Sequence, residues 1–183
     1  MKVIMQNVQG AYVTVHEARA FNGEGTPSYS ISCIFDWDHP AVKLIEEAQD
    51  KVGREKWGEK WETIKKELKA KDRLALHDGD TKASSTGFAG KAFVNARNRV
   101  RPRVVDRDNT ELTIADGKPY SGCYVNVSVE LWAQDNTYGK RINASLRGVQ
   151  FLADGTPFSG GAAANEDEFA PVSDADALAA VGL

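Results

Sequence analysis

The chain has 183 residues, of which 42% are hydrophobic and 27% are charged, a composition typical of a globular protein with one main domain. No apolar run approaches the roughly 18 residues that a membrane-spanning helix needs, and two cysteines are too few for a zinc cluster or a disulfide framework. The formal net charge of −3 is unevenly distributed, because residues 1–147 contain all 23 basic and 20 of the 26 acidic residues. Residues 148–183 contain the other six acidic residues, so a body of net charge +3 precedes a C-terminal segment of net charge −6.

The N-terminal part of the chain has the pattern of two β-strands. Residues 11–16 alternate between apolar and polar side chains, which predicts a half-buried strand. The glycines and the proline of residues 22–28, NGEGTPS, predict a loop. Residues 29–37 are rich in aromatic and β-branched side chains, so we expect a second strand there.

A helical block follows over residues 39–71. Asp38 is a suitable N-cap, and apolar residues then recur at helical spacing on both sides of Gly53. We therefore expect two short helices or one helix that is interrupted at Gly53. Trp57 and Trp61 lie in the second apolar stripe, which favours packing in the core over contact with a ligand.

The remaining periodic segments predict strands and so define the expected fold. They are residues 73–77, 88–105, 121–133 and 140–152. A mainly β chain with one helical insertion favours an OB-fold, which is a Greek-key barrel of about five strands. Residues 159–183 are small and acidic with little apolar surface, so we expect a disordered acidic tail after an OB-fold domain formed by residues 1–158.

The most informative segment is residues 91–104, KAFVNARNRVRPRV. On a strand, its even-numbered face is mostly small and apolar, and its odd-numbered face carries Lys91, Phe93, Asn95, Arg97, Arg99, Arg101 and Arg103. Like charges at every second position repel each other unless an anion lies along them. Their spacing of about 6.6–6.8 Å is close to the phosphate spacing of a partly extended single strand. We therefore expect this face to bind a nucleic-acid backbone; the alternative is a charged edge strand that prevents aggregation.

Three other strands carry further candidates on their polar faces. Basic side chains there can contact phosphates, and aromatic rings can stack on bases. Ordinary cross-strand packing explains each ring equally well. The additional candidates are Tyr12, Tyr124, Arg141 and Arg147, with Trp132 on the same face as Tyr124.

Catalytic interpretations have weaker support. The three histidines share no ligand spacing. Asp78, Asp80, Asp106 and Asp108 are of the type that holds a divalent metal in nucleases, but HDGD and DRDN are also typical turn sequences, which we favour. A metal-dependent nuclease is therefore one alternative, and a virion or adaptor module whose barrel binds protein or carbohydrate is another. No cofactor is predicted.

Several segments together resemble a known family. They are HDGD (77–80), GFAGKAFVNAR (87–97), RPRVVD (101–106), PYSGCYVNVSVELWAQD (119–135) and YGKRINASLRGVQFLADGTPF (138–158). In these segments the chain resembles the OB-fold single-stranded DNA-binding proteins of tailed bacteriophages. The resemblance covers most of residues 1–158 in the same order.

The resemblance implies a protein that coats single-stranded DNA without sequence preference during phage DNA replication, recombination or repair. It implies no enzymatic activity and a location in the cytoplasm of the bacterial host cell. By position it places Lys91, Phe93, Arg97, Arg99, Arg101 and Arg103 in the binding groove. We expect the acidic tail to compete with DNA for that groove because of its charge, and to contact phage replication proteins.

Overall fold

The computed structural model describes residues 1–21, 23–158 and 170–182. Within these residues the strands are β1 (Lys2–Phe21), β2 (Glu24–Phe35), β3 (Leu76–Asp78), β4 (Ala92–Asn98), β5 (Arg103–Val105), β6 (Tyr124–Asn136) and β7 (Gly139–Ala153). The helices are α1 (Pro40–Trp57), α2 (Trp61–Ala70) and α3 (Asp174–Ala180). None of the helices in the described residues is long and apolar enough to cross a membrane.

Five of the strands close into a barrel. The strand order is β3-β4-β2-β1-β6-β7-β5, and a parallel pairing between Arg97 in β4 and Ser145 in β7 joins the two ends of the stretch β4-β2-β1-β6-β7. The last two barrel strands return to lie between the first and the third, which is the Greek-key arrangement of an OB-fold. The block of α1 and α2 is inserted between the second and third barrel strands. The predicted OB-fold with a helical insertion is confirmed.

The barrel interior is apolar because strand residues alternate between the two faces of the sheet. Burying each valine or leucine side chain contributes about 1.5–3 kcal/mol, so this interior set is a main source of stability. The apolar even-numbered face predicted for β4 is buried, and β6 shows the same alternation. The buried side chains are Ala92, Val94 and Ala96 in β4 and Val125, Val127, Val129 and Leu131 in β6.

The helical block differs from its prediction at both its start and its break. The N-cap is His39, whose Nδ1 accepts a hydrogen bond from the Ala41 N–H at 2.9 Å, so the prediction of Asp38 is wrong. The break comes at Gly58, where φ is +56°, a value that glycine adopts readily. Gly53 lies inside α1 because the indole of Trp61 packs against it, and a Cβ at Gly53 would lie 2.4 Å from that ring. The predicted burial of Trp61 is confirmed.

The predicted strand over residues 88–105 is two strands, β4 and β5. The chain bends after Asn98, whose Oδ1 accepts a hydrogen bond from the Val100 N–H at 3.1 Å and whose Nδ2 donates to the Leu146 carbonyl at 3.0 Å. Pro102 follows and has no N–H to continue a strand ladder. The arginines of residues 97–103 therefore do not share one straight face.

Two long hairpins are tighter than predicted. β1 and β2 pair as far as Phe21 and Glu24, so most of the loop predicted over residues 22–28 belongs to β2. β6 and β7 pair as far as Asn136 and Gly139. Both hairpins therefore keep strand pairing almost to their tips, although the β1–β2 register shifts along the way.

The C-terminal segment contains a short helix that composition alone did not predict. Residues 159–169 and 183 of the predicted disordered tail lie outside the described residues. In the described part, Ser173 caps α3 by accepting a hydrogen bond from the Asp176 N–H at 3.1 Å. None of the residues of α3 is buried, so local capping and helix propensity account for this helix.

Candidate nucleic-acid interface

An open groove with a volume of about 930 Å³ crosses the outer surface of the barrel. It lies along β2 and β4, the second and third barrel strands, and the β6–β7 hairpin forms one wall. OB-folds bind oligonucleotides on this face. The polar and aromatic residues that line the groove include Ser28, Asn95, Arg97, Arg99, Trp132, Gln134, Tyr138, Arg141, Asn143 and Ser145.

Three arginines outnumber the carboxylate of Asp72, which also lines the groove, and so give the groove a net positive charge. Arg97 and Arg99 come from β4 and the bend after it, and Arg141 comes from β7. The Arg97 guanidinium donates a hydrogen bond to Ser28 Oγ at 3.2 Å. Among the described residues, none of the three forms a salt bridge with a carboxylate. Because a guanidinium stays protonated, these three charges are available to an anionic ligand.

Two aromatic side chains stand in the groove wall. Trp132 is 43% exposed, and its Nε1 donates a hydrogen bond to Ser145 Oγ at 3.0 Å, which orients the indole. Tyr138 lies at the tip of the β6–β7 hairpin and is 85% exposed. Exposed rings beside arginines supply the stacking and backbone contacts that hold a single-stranded nucleic acid.

The helical insertion supports this wall. Trp57 at the end of α1 donates a hydrogen bond from Nε1 to Asp135 Oδ2 at 2.9 Å, and Lys140 Nζ lies 3.5 Å from Asp135 Oδ1. The Trp57 hydrogen bond, followed by the Lys140 charge, holds the pKa of Asp135 below its usual range. After α2, the Arg73 carbonyl accepts a hydrogen bond from the Ile142 N–H at 3.0 Å. The insertion therefore contacts both strands of the hairpin.

The structure brings only part of the predicted set together. Arg97, Arg99 and Arg141 line the groove. Arg101 lies beside a separate crevice of about 250 Å³, where its guanidinium donates a hydrogen bond to the His16 carbonyl at 2.9 Å. Arg103 and Arg147 are exposed but do not line the groove.

Three further predicted residues also lie outside the groove. Lys91 forms an ion pair with Asp36. Tyr124 lies at the opposite end of β6 from Trp132, roughly 26 Å along the strand. Tyr12 is 57% exposed, and its hydroxyl donates a hydrogen bond to Ser85 Oγ at 2.9 Å.

Phe93 requires a correction. The alternation of β4 places its ring outside the barrel, as predicted, but the ring is only 1% exposed. Phe88 packs edge-on against it with ring centroids 5.0 Å apart, and His77 stacks on it at 5.0 Å. The segment that carries Phe88 covers this part of the sheet. The ring of Phe93 is therefore covered rather than exposed, and its contact with DNA stays a prediction.

Sequence reasoning missed several residues of the groove wall. The sequence pattern places Trp132 on an outward face without assigning it to the site, and Tyr138 lies between the predicted strands 121–133 and 140–152, where no role is predicted. An aromatic residue at the tip of a tight hairpin is the signal that points to Tyr138. The amide pair Gln134 and Asn143, joined by a hydrogen bond of 2.9 Å from Asn143 Nδ2 to Gln134 Oε1, gave no signal in the sequence.

The four aspartates considered for a nuclease site act in turns. Asp78 Oδ1 accepts a hydrogen bond from the Asp80 N–H at 2.9 Å, and Asp80 Oδ1 accepts one from the Gly90 N–H at 2.8 Å. Asp106 accepts from the next N–H along the chain, and Asp108 from that of residue 110. The interpretation of HDGD and DRDN as turn sequences is confirmed. The described residues contain no group of three histidines, cysteines or carboxylates placed to hold a metal ion.

A closed five-stranded barrel defines an OB-fold protein of the single-strand-binding type when its outer groove combines exposed rings with arginines that have no carboxylate partner among the described residues. Residues 1–179 match the family described as the single-stranded DNA-binding protein of Enterobacter phage Enc34. The chain belongs to this family.

The chain is also similar to individual phage proteins. Protein p50 of Acyrthosiphon pisum secondary endosymbiont phage 1 is 40% identical over 183 residues, covering 96% of each chain. The single-stranded DNA-binding protein from bacteriophage Enc34, solved in complex with single-stranded DNA, is 25% identical with a TM-score of 0.72 over 86% of this chain and 89% of that chain. The fold is also similar to that of gp2.5, a single-stranded DNA-binding protein of bacteriophage T7, at 12% identity and a TM-score of 0.56 over 94% of this chain and 99% of that chain.

Proposed function

We propose that this protein binds single-stranded DNA without sequence preference, through the groove, and protects it during phage DNA replication, recombination or repair. The observation that carries the proposal is the presence of three arginines without carboxylate partners in the described residues, beside the exposed rings of Trp132 and Tyr138. The site of action is the cytoplasm of the infected bacterial cell.

Binding follows from two contributions that do not depend on base identity. Arg97, Arg99 and Arg141 neutralise phosphates and release counterions, so log K falls with log salt concentration at a slope of roughly −0.7 for each phosphate contacted. Trp132 and Tyr138 stack on bases, which contributes about 1–3 kcal/mol for each base. Every base has a flat face, so stacking tolerates any sequence.

The predicted DNA-binding residues that do not line the groove differ in how exposed and how paired they are. Arg103 and Arg147 are exposed and are proposed to contact phosphates beyond the groove. Lys91 is already paired with Asp36, and its contribution is expected to be smaller. Binding is the whole of the proposed activity, and no catalytic step is assigned to any residue.

The acidic C-terminal segment is proposed to regulate access to the groove. Residues 159–183 contain five acidic and no basic residues, and their attachment to the barrel gives them a high effective concentration near the groove arginines. DNA would displace this segment, which then becomes available to phage replication proteins. Residues 1–158 are the proposed DNA-binding domain.

The proposal is tested by removing groove charge without changing the fold. In the Arg97→Ala, Arg141→Ala double variant, the salt slope for oligo-dT should become shallower by roughly 1.4, the loss of two phosphate contacts. Arg54→Ala is the matched control, because Arg54 lies on α1 and pairs with Glu62 at 3.2 Å. A double variant that keeps the wild-type slope would refute binding through the groove.

The same preparation addresses the nuclease alternative. Labelled single-stranded DNA incubated with the protein and Mg²⁺ should remain intact, because the four aspartates are engaged in turns. Cleavage that disappears on adding a chelator would contradict a purely binding role.

A further inference from the structure

Residues 79–91 form a compact cap on the outside of the barrel, next to the groove. The Gly79 N–H donates a hydrogen bond to the Lys91 carbonyl at 2.8 Å, and the Gly90 N–H donates to Asp80 Oδ1 at 2.8 Å. A Cβ at Gly79 would lie 1.9 Å from a carbonyl oxygen of the cap, so only glycine fits there. These bonds within the cap hold its side chains at fixed positions on the barrel.

The cap places the ammonium group of Lys82 above an aromatic platform made of Tyr12, Phe88 and Phe93. Lys82 Nζ lies 5.8, 5.6 and 5.2 Å from the respective ring centroids. No carboxylate of the described residues lies within 4.0 Å of this nitrogen. Phe88 and Phe93 are buried and Tyr12 is exposed. The platform therefore presents one ring and one positive charge side by side.

The platform continues the surface of the groove. Phe93, Asn95 and Arg97 follow one another on the outer face of β4, and Asn95 and Arg97 line the groove. His77 lines the groove as well and stacks on Phe93. The four residue steps from Phe93 to Arg97 span about 13 Å, which is roughly two phosphate spacings of a partly extended single strand. A strand that leaves the groove over Asn95 therefore reaches the platform next.

We propose that the platform is a second contact site for the same DNA strand, in which Tyr12 stacks on a base and Lys82 neutralises a phosphate. This inference rests on the proposed function, because the strand occupies the groove first. Aromatic faces stabilise a cation without cancelling its charge, so Lys82 is held in place and still attracts a phosphate. The contact site extends the interface beyond the β6–β7 wall to the side of the barrel formed by β1.

A purely structural role for Lys82, fastening the cap to the barrel, makes a different prediction. If Lys82 is purely structural, replacing it changes the unfolding temperature of the protein but not the number of counterions that are released from DNA on binding. If Lys82 contacts a phosphate, removing its charge makes the salt slope of DNA binding shallower by about 0.7. The two roles are therefore separated by the salt dependence of binding.

The experiment uses the full chain, oligo-dT and matched pairs of variants. Lys82→Met removes the charge but keeps an apolar stem on the rings, and Lys82→Arg keeps the charge. Lys82→Met should make the slope shallower by about 0.7, and Lys82→Arg should not. Tyr12→Leu should weaken binding roughly 5- to 150-fold, the loss of one stacked base, whereas Tyr12→Phe keeps the ring and should bind like wild type. Tyr12 has a φ of +48°, and both replacements carry that strain equally.

Suppose that Lys82→Met has the wild-type salt slope and the Arg97→Ala, Arg141→Ala variant has a shallower one. This result would overturn the second contact site but would still support DNA binding in the groove. Wild-type slopes in both would overturn the proposed function as well. A third readout needs no variant: oligonucleotides containing iodouracil should cross-link to Tyr12 of the wild-type protein under ultraviolet light. Cross-links confined to Trp132 and Tyr138 would overturn the inference.

Discussion

Replacing Trp132 isolates the stacking contribution of the groove wall. Trp132→Ala removes the indole, and we expect binding of oligo-dT to weaken by about 1–3 kcal/mol, or roughly 5- to 150-fold. Trp132 is 43% exposed and lies outside the barrel core, so its removal should leave the fold intact. No charge is lost, and the salt slope should therefore stay at the wild-type value. Trp132→Phe keeps a ring but loses the hydrogen bond to Ser145 Oγ. Its affinity for oligo-dT should therefore fall between those of the wild-type protein and Trp132→Ala.

Intrinsic fluorescence provides the assay, since the chain has only four tryptophans. Trp57 and Trp61 stack on each other with ring centroids 5.7 Å apart, in the helical insertion. Trp37 is exposed and lies just before α1. A base stacked on Trp132 should quench its emission, so oligo-dT should quench the wild-type protein and the Trp37→Phe control but not Trp132→Phe.

Two results would refute this reasoning. Full quenching in Trp132→Phe would show that another tryptophan meets the DNA. A Trp132→Ala variant with wild-type affinity would show that the ring contributes no stacking energy and that the groove wall is not part of the interface.

Three further predictions concern the parts that surround the groove. Gly53→Ala should lower the free energy of unfolding by about 1–3 kcal/mol, because the added Cβ lies 2.4 Å from the buried Trp61 ring. Helix propensity alone predicts instead that the free energy of unfolding rises by about 1 kcal/mol. The direction of the change in the thermal unfolding temperature distinguishes the packing effect from the propensity effect. Trp57→Phe should raise the pKa of Asp135 toward its ordinary value by removing the hydrogen bond that lowers it. The stabilisation from the Trp57–Asp135 hydrogen bond is present above the ordinary pKa of an aspartate and is lost as the pH falls through the lowered pKa of Asp135. An NMR titration of the Asp135 carboxyl group should therefore show its midpoint at a higher pH in Trp57→Phe than in the wild-type protein. Deleting residues 159–183 should tighten DNA binding at low salt and have little effect at high salt; equal affinities at low salt would contradict competition by the tail.

The parts of the fold that could be predicted from the sequence are those set by local periodicity. In β6, every second residue from Val125 to Leu131 is apolar, and each is buried in the barrel. Short turns then account for the β1–β2 and β6–β7 pairings, whereas the other pairings join segments that are distant in the sequence. Gly53 and Gly58 show the limit of local reasoning. Both are glycines in a helical pattern, but only the packing of Trp61 and the positive φ of Gly58 identify which one ends the helix.

Only part of the candidate site could be predicted from the sequence, because the site is assembled from distant segments. Alternation correctly put Phe93 outside the barrel, but it contained no information about the cap, which comes from residues 79–91 and buries the ring. The arginine row had a visible weakness at Pro102, which cannot continue a strand ladder. The chain already bends after Asn98, and Arg101 lies beside a different crevice from Arg97 and Arg99. Arg141 joins the latter two only because β4 and β7 meet where the barrel closes.

The closure of the barrel explains why the groove depends on the helical insertion. Arg97 lies at the pairing of β4 with β7, so its position is fixed by the barrel itself. Trp132 and Tyr138 belong to a hairpin that extends beyond this pairing, and its contacts with the insertion run through Trp57 and the Arg73 carbonyl. Arg141 lies on the same hairpin, so changes in the insertion should weaken both base stacking and the Arg141 phosphate contact, whereas the Arg97 contact should remain. Trp57→Phe is accordingly expected to reduce the quenching of Trp132 by oligo-dT and to make the salt slope shallower by at most about 0.7, the contribution of one phosphate contact. A shallower slope with wild-type quenching would contradict this division of roles.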